Sequence, residues 1–383
     1  MGLRSLATPL QIGRIELKNR FVMPGMQRAW CRDGKLLPGM AEYYARRAAG
    51  GSALIIGEGC AVDHPSSIWD SRFPHLNTES RDGWSACANA VHAEGGAMLL
   101  QLSHPGAFRS DSQALPGHSG PALSPSGLYR RDGANGRAAT ITELAEIRAS
   151  FVDAALHAQA TGMDGIELHA CHGFFLDQFL WAETNLREDG YGGDNIVART
   201  TYPAEIVRAI RAATGKDFLI SFRFSQWKEV DYAARIVDSA PELEAFLALL
   251  RSAGVDIFHP STRRFHDRPW PGSEFSLAGW VKRLTDAPVI AVGSVGMTSD
   301  VMTLLVGTES ARIDLTENLG ELASSFERGE FDMIAVGRAQ IGDPAWVEKA
   351  LSGRISEIRP FDRDDLSEAI AMEPDLIKAV HQA

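Results

Sequence analysis

Two histidines three residues apart, His169 and His172, close the run Glu167-Leu168-His169-Ala170-Cys171-His172-Gly173. Neutral imidazoles so placed can donate to a carbonyl or an oxyanion, or can ligate a metal. Metal-dependent hydrolysis would need further ligands at neighbouring strand ends. The stretch Phe21 to Gln27 contains no His-x-His and no carboxylate-rich cluster accompanies the pair, so no metal is expected. Arg223 interrupts an otherwise apolar run, Phe218 to Ser225. A buried cation is costly unless something faces it, which implies an anionic or electron-rich ligand, or else an internal salt bridge for which Glu167 is a candidate partner. Gln101, inside Leu99-Leu100-Gln101-Leu102, is a second polar intruder with amide donors and an acceptor to satisfy. Two glycine turns, Ala291-Val292-Gly293-Ser294-Val295-Gly296 and Ala335-Val336-Gly337-Arg338, let backbone N–H groups approach an anion, and Arg338 adds a planar cation.

These residues recur at one place in a repeated pattern. Eight apolar runs, Phe21–Gly25, Ala53–Gly59, Met98–His104, Gly165–Cys171, Phe218–Ser225, Val255–Ser261, Pro288–Val295 and Met333–Arg338, are each followed by polar or Gly-rich residues and then by helical spacing. Runs apolar at nearly every position are buried on both faces, as parallel strands under helices must be. The stretch Thr142 to Thr161 puts Leu144, Ile147, Phe151, Ala154, Ala155 and Ala158 on one stripe, with Thr142 as the expected N-cap. Helical spacing also marks Arg81–Glu94, Thr201–Ala213, Pro241–Ser252, Leu277–Leu284 and Leu322–Arg328. Eight alternations predict an α/β fold, a (β/α)₈ TIM barrel in a single domain over residues 1–383, with a loop excursion at about 105–139 and a short C-terminal tail.

Active groups of such barrels project from the C-terminal strand ends, and phosphate sits by the loops after strands seven and eight. Those ends carry Pro24, Gly25, Met26 and Gln27; Glu58 and Gly59; Gln101 and His104; His169 and His172; Arg223; Ser261; Gly293 and Ser294; Gly337 and Arg338. One Arg, one Gln and two His opposite a phosphate clamp describe a flat heterocycle with a phosphorylated tail. Flavin mononucleotide (FMN) fits.

The chain is 45% hydrophobic and 23% charged with a formal charge of −11, which supports a folded core and disfavours nucleic acid or anionic lipid as partner. The four cysteines, at 31, 60, 87 and 171, form no CxxC, so a reduced, cytoplasmic chain without a zinc ribbon or iron–sulfur motif is expected. The N-terminus lacks a signal-peptide core, and no run reaches the roughly 18 apolar residues of a membrane span. A small-molecule substrate is the expected partner, and oligomeric state stays open.

From Pro9 to about Trp346 the sequence resembles the old yellow enzyme family of FMN-dependent NAD(P)H oxidoreductases, or ene-reductases. The resemblance rests on Thr8-Pro9-Leu10-Gln11-Ile12-Gly13, Leu17-Lys18-Asn19-Arg20-Phe21-Val22-Met23, Leu99-Leu100-Gln101-Leu102 and the long stretch Gly162 to Leu180. Asn185-Leu186-Arg187, Asp189-Gly190-Tyr191-Gly192-Gly193 and Ala198-Arg199 complete it. It implies non-covalent FMN reduced by NADH or NADPH, with Gln101 at the flavin pyrimidine, Arg223 at N1 and O2, and Gly59 beside the ring. Gly293, Ser294, Gly337 and Arg338 would hold the phosphate, Pro24 to Gln27 and Ser261 would line the cofactor, and His169 and His172 would hold the substrate's oxygen. Activated C=C bonds of enones or quinone-like acceptors are the implied substrates.

Three departures stand out. Pro24-Gly25-Met26-Gln27 replaces the family's usual small residue, Pro and flavin-O4 partner, a role left to Gln27. Phe174 replaces the Tyr that commonly donates the substrate proton, leaving water, Tyr191 or the residues Arg263 to His266. The extra nucleotide-binding and iron–sulfur region of larger members is not expected, since the sequence stops about where the barrel should. Two rival readings remain: an FMN enzyme working oxidatively on an N-methyl amine or saturated ketone, and a flavin-free binding barrel.

Overall fold

Eight parallel strands define the architecture: β1 (Phe21–Met23), β2 (Leu54–Val62), β3 (Ala97–Ser103), β4 (Gly165–His172), β5 (Leu219–Lys228), β6 (Ile257–Pro260), β7 (Ile290–Val292) and β8 (Met333–Ala335). The computed structural model describes residues 3–68, 72–109, 120–297, 315–362 and 365. The strands lie in the order β6-β5-β4-β3-β2-β1-β8-β7, and parallel bridges Phe258–Val289 and Ser261–Val292 join the two ends into a (β/α)₈ barrel. Each strand is followed by a helix, in order α1 (Met40–Ala49), α2 (Arg81–Ala93), α3 (Ile141–Ala160), α4 (Thr201–Thr214), α5 (Ala240–Ala253), α6 (Leu277–Leu284), α7 (Leu315–Glu327) and α8 (Trp346–Leu351).

The strand period of two sorts the side chains. Ile55, Met98, Leu100, Ile166, Leu168, Ile220 and Phe222 pack in the layer between sheet and helices. Leu54, Ile56, Leu99, Leu219, Ile257 and Ile290 fill the lower barrel. An antiparallel hairpin, Leu10–Ile12 with Ile15–Leu17, turns at Gly13 (φ +54°) and adds Ile12 and Leu17 to that interior cluster.

Several boundaries differ from the sequence expectation. Strands β1, β7 and β8 stop early, because Gly25, Gly293 and Gly337 have already left the sheet for the loops. Strand β5 runs on to Lys228, with a register shift against β4 between Ala170 and His172. The N-cap of α3 is Thr140 rather than Thr142. Thr140 Oγ1 accepts from the Glu143 N–H (3.2 Å) while Glu143 Oε2 accepts from the Thr140 N–H (2.8 Å). A cap at Thr142 would find Ala145 at the third position and could not close this box. Within the excursion, Leu123–Ser124 pairs with Arg137–Ala138 and Leu128–Arg130 with Gly133–Ala134; residues 110–119, and the tail after 365, lie outside the described residues.

Behind the end of β4 lies an ion pair with no solvent exposure. Lys228 Nζ donates to Asp177 Oδ1 at 2.7 Å and to the Ser225 carbonyl at 3.1 Å, and Asp177 Oδ2 accepts from the Gly173 N–H at 2.7 Å. Removing one buried partner strands the other charge, at a cost of about 3–5 kcal/mol. Asp177→Asn is therefore expected to lower the urea midpoint clearly, and Asp177→Leu combined with Lys228→Met to lower it less. Equal midpoints for Asp177→Asn and the parent protein would show that the pair does not hold this corner.

Candidate active site

Alternation brings Gln101 and Ser103 of β3, Glu167 and His169 of β4, Ser221 and Arg223 of β5, and His259 of β6 into the barrel at two levels. Glu167 stands in register with Gln101 and Ser221, and Arg223 with His169 and His259. The lower level closes on itself. Glu167 accepts from Gln101 Nε2 (2.8 Å), Ser221 Oγ (3.0 Å) and His259 Nδ1 (2.7 Å). Burial pushes the Glu167 carboxyl up, but His259, Arg223 and the Gln101 hydrogen bond outweigh it and hold the group at about 2. Arg223 makes no ion pair with Glu167, whose oxygens are already engaged, so the internal salt bridge left open by the sequence is not formed. His259 went unread in the sequence, although a polar residue inside Ile257-Phe258-His259-Pro260 is the same signal that marked Gln101.

The upper level is open. Arg223 Nη2 donates to Ser261 Oγ at 3.3 Å and Nη1 to the Gly25 carbonyl at 3.5 Å, while its buried Nε has no hydrogen-bond partner in the protein. His169 Nδ1 lies 3.3 Å from Ser103 Oγ, and its buried Nε2 is likewise unpartnered. His172 Nε2 meets Ser261 Oγ at 2.8 Å. The two imidazoles are edge to face at 5.5 Å, His169 lying on Phe174 (4.5 Å) and His172 on Trp227 (4.5 Å). Burial, then the Arg223 charge, lowers His169 to about 3 and His172 well below the usual histidine range. Both are neutral hydrogen-bonding groups at ordinary pH.

His172 is aimed by an unusual backbone. It has φ +66° and is followed by Gly173 at +93°. A left-handed non-glycine residue persists only where its surroundings fix it. Here the His172 N–H donates to Ser225 Oγ (2.9 Å), the His172 carbonyl accepts from the Glu229 N–H (3.1 Å), and Gly173 is tied to Asp177.

Gly25, Gln27, Gly59, Gln101, His169, His172, Phe174 and Arg223 line a cavity of about 280 Å³. Pro24, Met26, Ser261, Gly293, Ser294, Gly337 and Arg338 line a second, of about 200 Å³, and Gly25, His172 and Arg223 belong to both walls. The first has room for a planar ring and the second, bordered by the two glycine turns, suits a phosphorylated tail. A Cβ on Gly25 would sit 2.9 Å from the Gly57 carbonyl, so the chain there tolerates no side chain. The free Arg223 Nε, the tight glycine and the arginine at the far end fit FMN.

Other expected residues fall elsewhere. Tyr191 is not in the site: its hydroxyl donates to Glu205 Oε2 on α4 (3.0 Å) and its ring meets Tyr202 edge-on. Chain proximity to the histidine motif misled, because Phe175–Leu180 and the following turns carry the chain to the barrel's outer layer. Arg264 and His266 line neither cavity, and of the two Arg263 borders only the second. Glu58 faces away, accepting from the Arg28 N–H at 3.0 Å, and burial pushes it up to about 7. His104 is engaged with Ser66 Oγ (2.9 Å) and the Gly106 N–H (3.0 Å). Cys171 brings its sulfur within 4.8 Å of ligand atoms of both His169 and His172, but burial raises its thiol well above the ordinary value and opposes the thiolate a metal would require.

Residues 5–357 match the model of the NADH:flavin oxidoreductase / NADH oxidase family, and the chain belongs to that family. It is 33% identical over 365 residues to an NADH oxidase of Thermoanaerobacter brockii, covering 91% of this chain and 51% of that one. It is 35% identical over 375 residues to 12-oxophytodienoate reductase 7 of Oryza sativa subsp. japonica, covering 90% and 87%. The chain thus spans about half the length of the NADH oxidase, and likewise of a metal reductase of Desulforamulus reducens at 30% identity. In fold it is similar to morphinone reductase in complex with tetrahydroNAD (TM-score 0.77, 24% identity, 94% of this chain and 93% of that one). Old Yellow Enzyme from Pichia sp. AKU4542 gives a TM-score of 0.77 at 22% identity, covering 94% and 89%. FMN is the cofactor of this family and NADH or NADPH its reductant.

A carboxyl held at about 2 lies below its unfolded value of roughly 4.3. Its contribution to stability is therefore present above that unfolded value and lost as pH falls toward 2. Glu167→Gln is expected to destabilise most at neutral pH, with the difference in urea midpoint from the parent narrowing between about pH 5 and pH 3. A pH-independent difference would place the carboxylate's role in packing rather than charge.

Proposed function

We propose that this chain is an NAD(P)H-dependent FMN oxidoreductase that reduces the C=C bond of activated alkenes such as enones, and quinone-like acceptors, in two half-reactions. What supports this best is the pair of neutral histidines set beside an arginine whose Nε has no partner in the protein, all in one cavity that continues to two glycine turns. FMN, when bound, supplies two-electron hydride chemistry. Arg223 puts a fixed positive charge at the base of the cavity, where it favours an anionic ring edge over a neutral one. Gln101, held by Glu167, and Gln27 offer amide groups to the rim of a heterocycle. His169 and His172, neutral and oriented by Ser103 and Ser261, donate to a carbonyl oxygen and draw electron density from the conjugated alkene.

The protein is expected to purify yellow and to release FMN, not FAD, on denaturation. Anaerobic NADH or NADPH should bleach it, and an enone should restore the colour. Bleaching by an N-methyl amine or saturated ketone, without reoxidation by any enone, would establish the oxidative direction instead, and a colourless folded protein that takes up no FMN would establish a binding barrel.

Arg223→Ala should weaken FMN retention and lower the flavin potential, and Arg223→Lys should restore neither fully, because an ammonium lacks the planar fork. His169→Ala with His172→Ala should keep the flavin but lose the charge-transfer band of phenolic ligands. An unchanged band in that double variant would remove the pair from substrate binding.

A further inference from the structure

Alkene reduction needs a proton at the α-carbon as well as a hydride at the β-carbon, and the groups around the cavity narrow its source. The Ser67 hydroxyl donates to the Val62 and His64 carbonyls, and Ser103 Oγ is engaged with His169. The histidines are neutral, and a neutral imidazole N–H is a hydrogen-bond donor but not an acid in the physiological range. Phe174 has no proton to give. Among the described residues lining this cavity, the remaining Brønsted acid is Glu229.

Glu229 directly follows β5, and its N–H donates to the His172 carbonyl at 3.1 Å, so the loop that carries it is fastened to the histidine strand end. No described residue hydrogen-bonds or ion-pairs with its carboxyl. The side chain opens on solvent at the cavity mouth, while the protein packed around it pushes the carboxyl above the usual range by desolvation. The charged and titratable groups nearby are accounted for. Lys228, next in the chain, is neutralised by Asp177; Asp231 receives the Lys228 N–H through its carbonyl; and Arg223, His169 and His172 share the cavity.

We propose that Glu229 is the acid that protonates the substrate α-carbon. This rests on the alkene-reduction reading above. The hydride, drawn ultimately from NAD(P)H, brings an electron pair to the β-carbon. The alkene π pair then forms the α-carbon–hydrogen bond with the Glu229 proton. Glu229 is left as carboxylate and regains a proton from solvent before the next turnover. Its place at the mouth gives it both contacts.

The test is stopped-flow oxidation of reduced holoenzyme by 2-cyclohexen-1-one and by a quinone, whose protons go to oxygen rather than carbon. In the parent protein the enone rate should fall as pH rises through the Glu229 ionisation. Glu229→Gln should slow the enone about 100-fold and flatten that profile, with the quinone rate falling by less than about 3-fold. Phe174→Tyr added to Glu229→Gln should recover much of the enone rate by restoring an acidic hydroxyl beside His169. A reading independent of turnover is the binding of 4-hydroxybenzaldehyde, followed by flavin absorbance: its affinity should weaken as the Glu229 carboxylate forms in the parent and lose that inflection in Glu229→Gln. Retention of the enone rate and its pH profile in Glu229→Gln would overturn the proposal, as would equal loss with both acceptors. A parent enzyme that reduces quinone but no enone would overturn the alkene reading and this assignment together.

Discussion

A carboxylate that cannot leave the barrel core organises this site. Glu167 is fully buried, and a buried charge survives only when it is paired and hydrogen-bonded. Gln101, Ser221 and His259 answer it, from the strands on either side of β4 and from the next strand beyond. Those three contacts tie three strands to β4 and support the next level up. Arg223, one pleat above Ser221, makes no bond to Glu167, both of whose oxygens already accept hydrogen bonds. Its guanidinium is left facing the cavity, with only the Ser261 hydroxyl and the Gly25 carbonyl in reach. Glu167 thus supplies compensating charge at a distance while a ligand-facing donor stays open.

The second constraint is the kink where β4 ends. A strand continued straight would carry His172 to the face opposite His169, three positions away, and the register shift after Ala170 with the left-handed His172 backbone redirects it toward Ser261. The Lys228–Asp177 pair lies under that kink and is costly to desolvate, so its value lies in geometry rather than in net stability. It joins the short helix Phe175–Leu180, just after β4, to the end of β5, which brings both histidines and Glu229 to one corner.

Overall charge and local charge point in opposite directions. The chain carries −11, yet the floor of one cavity and the far end of the next hold Arg223 and Arg338. An anionic surface repels polyanions at long range, while a small phosphorylated ligand inside a desolvated cleft meets the nearby cations with little screening. Lowered histidine ionisation follows from the same positive, dry surroundings, and keeps the pair neutral.

The barrel was legible in the amino-acid order because two-sided burial leaves strands apolar at almost every position, and any exception stands out. Arg223, Gln101 and the two glycine turns were visible as such exceptions, and the structure brings them to two adjoining cavities. His259 was an exception of the same kind, overlooked because it lies one pleat below the strand end. Thr140, not Thr142, caps α3 because capping depends on a side chain three residues onward, a local fact the sequence did contain. Tyr191, Lys228 and Glu229 were beyond its reach. Tyr191 sits close to the histidines in chain order yet bonds to a helix, whereas Lys228 and Glu229 resemble ordinary loop residues until strands 53 and more positions apart meet, as His172 and Ser225 do. Alternation and composition determine which residue types enter a barrel, because they depend on neighbours in the chain. Which of them share a cavity, which charge is cancelled and which carboxyl is left free depend on distances across the barrel, and only the closed sheet decides those.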